Sequence, residues 1–320
     1  MINLNNLNDR QKEAVTHIDG PCLVVAGAGS GKTKVLTTRI AYLIDKGIKD
    51  YNILAITFTN KAAKEMKSRV DDLIPNNSSF VSTFHSFGMK VIRENASLLG
   101  FNSNVTILDG DDTLSIIKRI LKDKNIDPKM MAPNYVRNRI SFIKNENLSM
   151  SAVNSFFNTP IEKKIISIYE EYEEIIHRNN SLDFDDLLYL PVKLFKEHKE
   201  VLEHYQEKYK YILIDEYQDT NEIQFELTKL LGDKYENVFV VGDTDQSIYA
   251  FRNANYENVL KFEKHFHDVK TILLEENYRS TKIILNAANS VIKNNKKRKE
   301  KNLWTTNNDG VKIKYFRSYD

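Results

Sequence analysis

Between the apolar run PCLVV (21–25) and the segment KVLTTRIAYLID (34–45) lie eight residues, AGAGSGKT (26–33), in which Ala28, Gly29 and Gly31 stand beside a single lysine and a threonine. Small residues let backbone N–H groups turn toward phosphate oxygens, a lysine reaches the β and γ phosphates, and a hydroxyl holds Mg2+. Gly29, Gly31, Lys32 and Thr33 supply these parts; the alternative is a tight turn between strand and helix. The usual first glycine of such a loop is Ala26, a position that requires only a small side chain. Further along, YILIDEYQDT (211–220) delivers two adjacent carboxylates. That pair suits metal-assisted phosphoryl transfer, with Asp215 in the Mg2+ shell and Glu216 orienting or deprotonating the attacking water. An acid directly after the metal-binding aspartate favours hydrolysis over transfer to an acceptor hydroxyl. In VFVVGDTDQSIYAFRNA (238–254), Gln246 is placed to sense the γ-phosphate or its water. Tyr249, Phe251 and Arg252 then offer two rings and a cation for stacking bases and gripping phosphates, unless the rings only plug the core.

These residues need elements to hold them. CLVVAG, ILAITFT, FVSTFHS, YILIDE, VFVVGD and TILLEEN are short, β-branched and continuously apolar, each ending in polar or small residues. Continuous rather than alternating hydrophobicity marks strands covered on both faces, hence a parallel sheet with helices on each side. Ligands of such sheets bind beyond the carboxyl ends of the strands, where all these polar residues fall. From about Phe101 to Tyr209 the strand pattern stops and an inserted helical subdomain is expected; in IEKKIISIYEEYEEII, Ile161, Ile165, Ile168, Tyr169, Tyr172 and Ile176 recur at helical spacing on one face. Strands resume at Tyr211, so the α/β unit is discontinuous. Near Asn277 the helix-like TKIILNAANSVI begins, followed by the basic run KNNKKRKEK and an alternating strand, VKIKYF, as the opening of a further domain.

With 320 residues, 41% of them hydrophobic and 28% charged, the chain can bury more than one core. Lys and Arg number 46 against 44 acids, a net charge of +2, so a polyanion would be held by local patches and not by a global field. The lone cysteine, Cys22, lies in the first apolar run and reads as a buried core thiol in a reducing, cytoplasmic compartment. The start of the chain lacks the pattern of an export signal, and no run approaches the length of a membrane span.

Eight segments, in order, carry a family resemblance: LNDRQKEAV, AGAGSGKT, TFTNKAAKEM, STFHSF, LDFDDLL, DEYQDT, GDTDQSIYAFRNA and LEENYRST. Together they resemble the amino-terminal part of a superfamily-one DNA helicase of the UvrD, PcrA and Rep type, nearly end to end. The resemblance implies an α/β P-loop NTPase fold, RecA-like, whose parallel sheet carries a helical insertion. It places a first motor domain at 1–100 and 200–276, the insertion at 101–199 and the start of a second motor domain at 277–320. The ligands it implies are ATP with Mg2+, and single-stranded DNA and duplex junctions.

By the same resemblance, Gln11 reads the adenine edge and Tyr278 stacks on the base. Ala26, Gly27, Ala28, Gly29, Ser30, Gly31, Lys32, Thr33 and Lys34 form the phosphate loop, with Thr33 and Asp215 on Mg2+. Glu216 activates water, with Gln246 beside it, and Arg279 reaches the γ-phosphate. Phe58, Asn60, His85, Tyr249, Phe251 and Arg252 fall at DNA-contact positions, although His85 alone also fits a helix-capping or core role. Lys34 stands where many relatives have Arg, and Phe251 where many have Trp. The family continues through most of a second motor domain, which supplies a second γ-phosphate arginine, so these residues alone are expected to turn over slowly. The expected activity is that of an ATP-dependent, 3′ to 5′ translocating DNA helicase of repair or replication. Two other readings fit the motifs: the helicase part of a recombination helicase-nuclease, and a nucleotide-gated DNA-binding module without turnover.

Overall fold

The computed structural model describes residues 2–102, 104–247, 255, 257–295 and 299–317. They fall into two compact units, one of Met1–Ser82, Gln206–Thr220 and Gly232–Asp320, the other of Thr83–Tyr205 and Asn221–Leu231. In chain order the first part runs α1 (Asp9–Thr16), β1 (Cys22–Ala26), α2 (Lys32–Asp45), β2 (Ile53–Thr57), α3 (Asn60–Leu73) and β3 (Phe80–Thr83). There follow α4 (Phe84–Glu94), β4 (Thr106–Ile107), α5 (Gly110–Asp123), α6 (Pro133–Asn145), α7 (Met150–Phe156), α8 (Pro160–Arg178), β5 (Ser181–Leu182), α9 (Asp186–Glu197) and α10 (Lys199–Lys208). The chain then passes through β6 (Tyr211–Ile214), α11 (Glu222–Gly232), β7 (Val238–Gly242), α12 (Glu257–His265), β8 (Lys270–Leu274) and α13 (Lys282–Ile292).

The six expected apolar runs form one six-stranded sheet in the order β3-β2-β6-β7-β1-β8. β1 pairs parallel with β7 and β8, and β6 pairs parallel with β2 and β7. Every residue of β1, β2, β6 and β7 is buried, while the edge strands β3 and β8 are covered only in part. Two-sided burial is what continuous apolar runs require, and Leu7, Val15, Val35, Leu36 and Ile40 from the helical side close this core. Cys22 sits fully buried in β1, and burial pushes its thiol up to about 12.

The second unit is mainly helical, with its core drawn from α5, α6, α7 and α8. It also holds a parallel pair of two-residue strands, β4 and β5. α8 starts from a capping box, in which Thr159 accepts from the Glu162 N–H and Glu162 reaches back to the Thr159 backbone, with Pro160 at the first helical position. Its buried face holds Ile165, Ile168, Tyr169, Tyr172 and Ile176 as expected, along with Ile166 and Ile175. Ile161 is different: it lies in the first turn, at the rim of the apolar face, and is 50% exposed. The alternating VKIKYF segment is likewise not a strand; residues 312–317 have no regular structure, and Val311, Ile313, Tyr315 and Phe316 are exposed. Period-two alternation needs a neighbouring ladder to become a strand, and among the described residues none flanks this segment.

Candidate active site

The phosphate loop leaves the carboxyl end of β1 and enters α2, with Gly31 in the left-handed region at φ 84° as the residue before the helix. Gly29, at φ 70°, is left-handed too, and a Cβ there would lie 2.7 Å from Asn277 Nδ2. Both positions suit glycine, because other L-residues pay for that conformation and here have little room. Ser30 is buried and its hydroxyl donates to the Gly27 carbonyl. Two segments grip the loop. Gln11 Nε2 donates to the Ser30 carbonyl at 2.8 Å, while Asn277 Nδ2 donates to the Ala28 carbonyl and the Tyr278 N–H to the Gly29 carbonyl.

The acids lie two strands away across the sheet, at the carboxyl end of β6. Lys32 Nζ meets Glu216 Oε2 at 2.7 Å, an ion pair between a lysine side chain 11% exposed and a glutamate 35% exposed. Glu216 is itself left-handed, at φ 51° and ψ 43°, a conformation costly for a residue with a side chain and common where function fixes the backbone. Asp215 is buried; desolvation, with the charge of Glu216 beside it, pushes its carboxyl up to about 6. Asp219 is raised to about 6 by the same two causes. Thr33 follows Lys32 in the first turn of α2. A carboxylate and a hydroxyl are the hard oxygen donors Mg2+ takes, so Asp215 and Thr33 fit that ion by type.

At the end of β7, Gln246 donates to Asp243 Oδ2 at 2.5 Å and is half-buried. Sequence reasoning missed the link between these elements, Gln218, which donates to Glu216 Oε2 at 2.9 Å and accepts from the Asp243 N–H at 2.8 Å. On the other flank, Tyr278 is brought to the start of α1, where Asn8 Nδ2 donates to its hydroxyl at 2.7 Å and to Glu276 at 2.8 Å. Asn8 also forms a capping box with Gln11; the Asn-x-x-Gln spacing that makes it is visible in the sequence. Arg279 is exposed, with its backbone N–H on Asn277 Oδ1. Lys34 is turned away, its Nζ donating to the Asn6 carbonyl. A further residue that sequence reasoning missed, Arg39, is buried in α2. It donates to the carbonyls of Ala14, Val15, His17 and Ile18 at the end of α1 and lies 4.4 Å from the Phe239 ring centroid. It thus ties the Gln11 helix to the helix that follows the loop.

Of the expected nucleic-acid contacts, half-buried Phe58 follows β2, and exposed Asn60 is the first residue of α3, which Thr59 caps. In the second unit, His85 stacks on Phe184 with ring centroids 4.1 Å apart. The residue that caps α4 is Thr83, not His85. Burial pushes the His85 imidazole down to about 4, leaving it neutral at pH 7. Tyr249, Phe251 and Arg252 lie outside the described residues.

Residues 7–267 match the UvrD/REP helicase N-terminal domain, and residues 272–320 the UvrD-like helicase C-terminal domain. The ATP-dependent DNA helicase PcrA of Staphylococcus aureus (strain Mu50 / ATCC 700699) is 50% identical over 316 residues, which cover 98% of this chain and 43% of that protein. The protein of the same description from Staphylococcus epidermidis (strain ATCC 12228 / FDA PCI 1200) matches to the same extent. The chain therefore spans less than half the length of these relatives. A crystal structure of Pif1 helicase from Candida albicans aligns with 83% of this chain and 40% of its own, at a TM-score of 0.35 and 11% identity, too slight a likeness to carry an argument. Among the described residues, no helix is long and apolar enough to cross a membrane.

Proposed function

The chain belongs to the UvrD/REP helicase family, and from that premise we propose that it binds and hydrolyses ATP and binds single-stranded DNA, as part of a 3′ to 5′ DNA helicase. The observation that carries the reading is the convergence of Lys32 and Glu216, from the ends of β1 and β6, at 2.7 Å. ATP phosphates arriving at the loop compete for the Lys32 ammonium. As Lys32 turns to them, Glu216 loses its cation and becomes free to take a proton from the attacking water. Nucleotide binding thereby arms the base. Mg2+, held by Thr33 and Asp215, would neutralise charge on the phosphate oxygens.

Gln11 and Tyr278, linked through Asn8 beside the loop, receive the adenine, and Arg279 extends toward the γ-phosphate. Phe58, Asn60 and His85, joined by Tyr249, Phe251 and Arg252, contact single-stranded DNA and the duplex junction, where stacking serves a motor that must accept any sequence. A buried lone thiol suits the cytoplasm.

Isothermal calorimetry and phosphate release on three proteins test this. Lys32→Ala should lose most ATP affinity, whereas Glu216→Gln should keep it and lose turnover. Equal loss of affinity in both variants would remove Glu216 as the base. Wild-type ATP binding with no phosphate release, with or without single-stranded DNA, would leave a binding module.

A further inference from the structure

Lysines of a basic run such as 293–301 are ordinarily exposed, yet its last lysine is buried. The Lys301 side chain is 2% exposed, with Nζ 2.5 Å from Asp243 Oδ1 and 2.6 Å from Asp245 Oδ2. Lys299, two residues earlier, instead pairs with Glu263 and keeps 29% of its side chain exposed. Stripping water from an ammonium and two carboxylates is not in general a way to gain stability, so a buried triad calls for another reason.

Asp243 supplies one. Its Oδ1 takes Lys301 and the Asp245 N–H, its Oδ2 takes Gln246 Nε2, and its own N–H donates to Gln218. Gln218 in turn holds Glu216, the partner of Lys32. A continuous chain of bonds thus runs from the phosphate loop through Gln218 and Asp243 to Lys301, and Lys301 anchors Asp245 in the short turn Thr244–Gln246 as well as Asp243, which caps it. The segment bearing Lys301 is fixed as well. The Asn302 N–H donates to Glu275 Oε1 and the Trp304 N–H to the Glu275 carbonyl, and Leu303 packs so closely over Gly27 that a Cβ there would meet it at 2.1 Å.

We propose that Lys301 is a positioning residue for ATP hydrolysis: its ammonium fixes the Asp243 carboxylate and so aims the Gln246 side chain at the reacting phosphate. The role rests on the function proposed above. It makes the geometry of Gln246, within the match to the N-terminal domain, depend on a cation from the segment that matches the C-terminal domain. Movement of that segment would reset Gln246.

The test pairs two readouts on the 320-residue chain. One is the Gln246 side-chain amide resonance in the ligand-free protein, assigned by its loss in Gln246→Met. The other is ATP turnover. Lys301→Met should move the resonance to that of a free primary amide and slow turnover roughly 10- to 100-fold, the effect of a misplaced group, with ATP affinity kept within about twofold. The double variant Lys301→Met/Gln246→Met should be no slower than Gln246→Met alone, and Lys301→Arg should be intermediate in both readouts. An unmoved resonance in folded Lys301→Met, or additive losses in the double variant, would overturn the role. If Lys301→Met does not fold, Lys301→Arg decides, because a planar guanidinium cannot reproduce the ammonium's contacts with two carboxylates; a wild-type resonance and rate there would overturn it. Absence of turnover in the wild type would sink the proposed function, while the resonance would still judge Lys301.

Discussion

Replacing Lys144 by Met should strongly destabilise the helical unit. The Lys144 side chain is fully buried on α6, and its Nζ lies 2.8 Å from Glu173, 2.8 Å from Asp183 and 2.6 Å from Asp186. These acids come from α8 and from LDFDDLL. Burial alone would discharge the lysine, but the three carboxylates hold its pKa well above the usual lysine range. In Lys144→Met, Asp183 keeps its bonds from the Tyr172 hydroxyl and the Asp186 N–H, and Asp186 keeps the Asp183 N–H. All three acids nevertheless lose their shared cation. Removing one partner of a buried ion pair costs about 3–5 kcal/mol, and for a unit of this size that lowers Tm by roughly 10–20 °C. The only tryptophan, Trp304, belongs to the other unit, so the melt should be followed by far-UV circular dichroism. The effect also has a sign in pH. Burial raises the Glu173 and Asp186 carboxyls even beside Lys144 and raises them further without it, so above their unfolded values the folded state holds more protons and stability rises as pH falls toward those values. Adding Asp186→Asn should recover part of the loss. A change below about 1 kcal/mol, or a loss that does not shrink at pH 5, would show that this cluster is not what holds α6, α8 and α9 together.

His85, depressed to about 4 by burial, should titrate near that value by NMR. Because the folded state then binds fewer protons than the unfolded one, its contribution is complete above pH 6.5 and is lost as pH falls toward 4; a measured pKa at or above 6.5 would refute the desolvation of His85 beside Phe184. Gly29→Ala should lose ATP affinity, since its Cβ would press on Asn277 and Arg279. The left-handed conformation adds about 1–2 kcal/mol of destabilisation, and wild-type affinity in calorimetry would show that the grip on the loop is not needed.

The sheet was legible because each central strand announces its two-sided burial residue by residue, and the ends of β1, β6, β7 and β8 carry polar motifs where a parallel sheet collects its ligands. Lys32, Asp215 and Glu216 could be read by type and spacing alone. Gln218, Lys144 and Lys301 could not, although each is buried and holds a network together. Periodicity reports whether a position faces a core, and on that measure a lysine in a basic run is a surface residue. What buries Lys301 is Asp243 and Asp245, and what buries Lys144 is Asp183 and Asp186, partners distant in sequence that only the fold brings near. The VKIKYF segment fails for the same reason in reverse: its alternation is local, but a strand is a pairwise object. Local patterns therefore located the groups that meet substrate. The groups that aim them are fixed by long-range pairs, which is why Lys34, inside the most recognisable motif, turns to the Asn6 carbonyl while Lys301, in an unremarkable run, reaches the turn that carries Gln246.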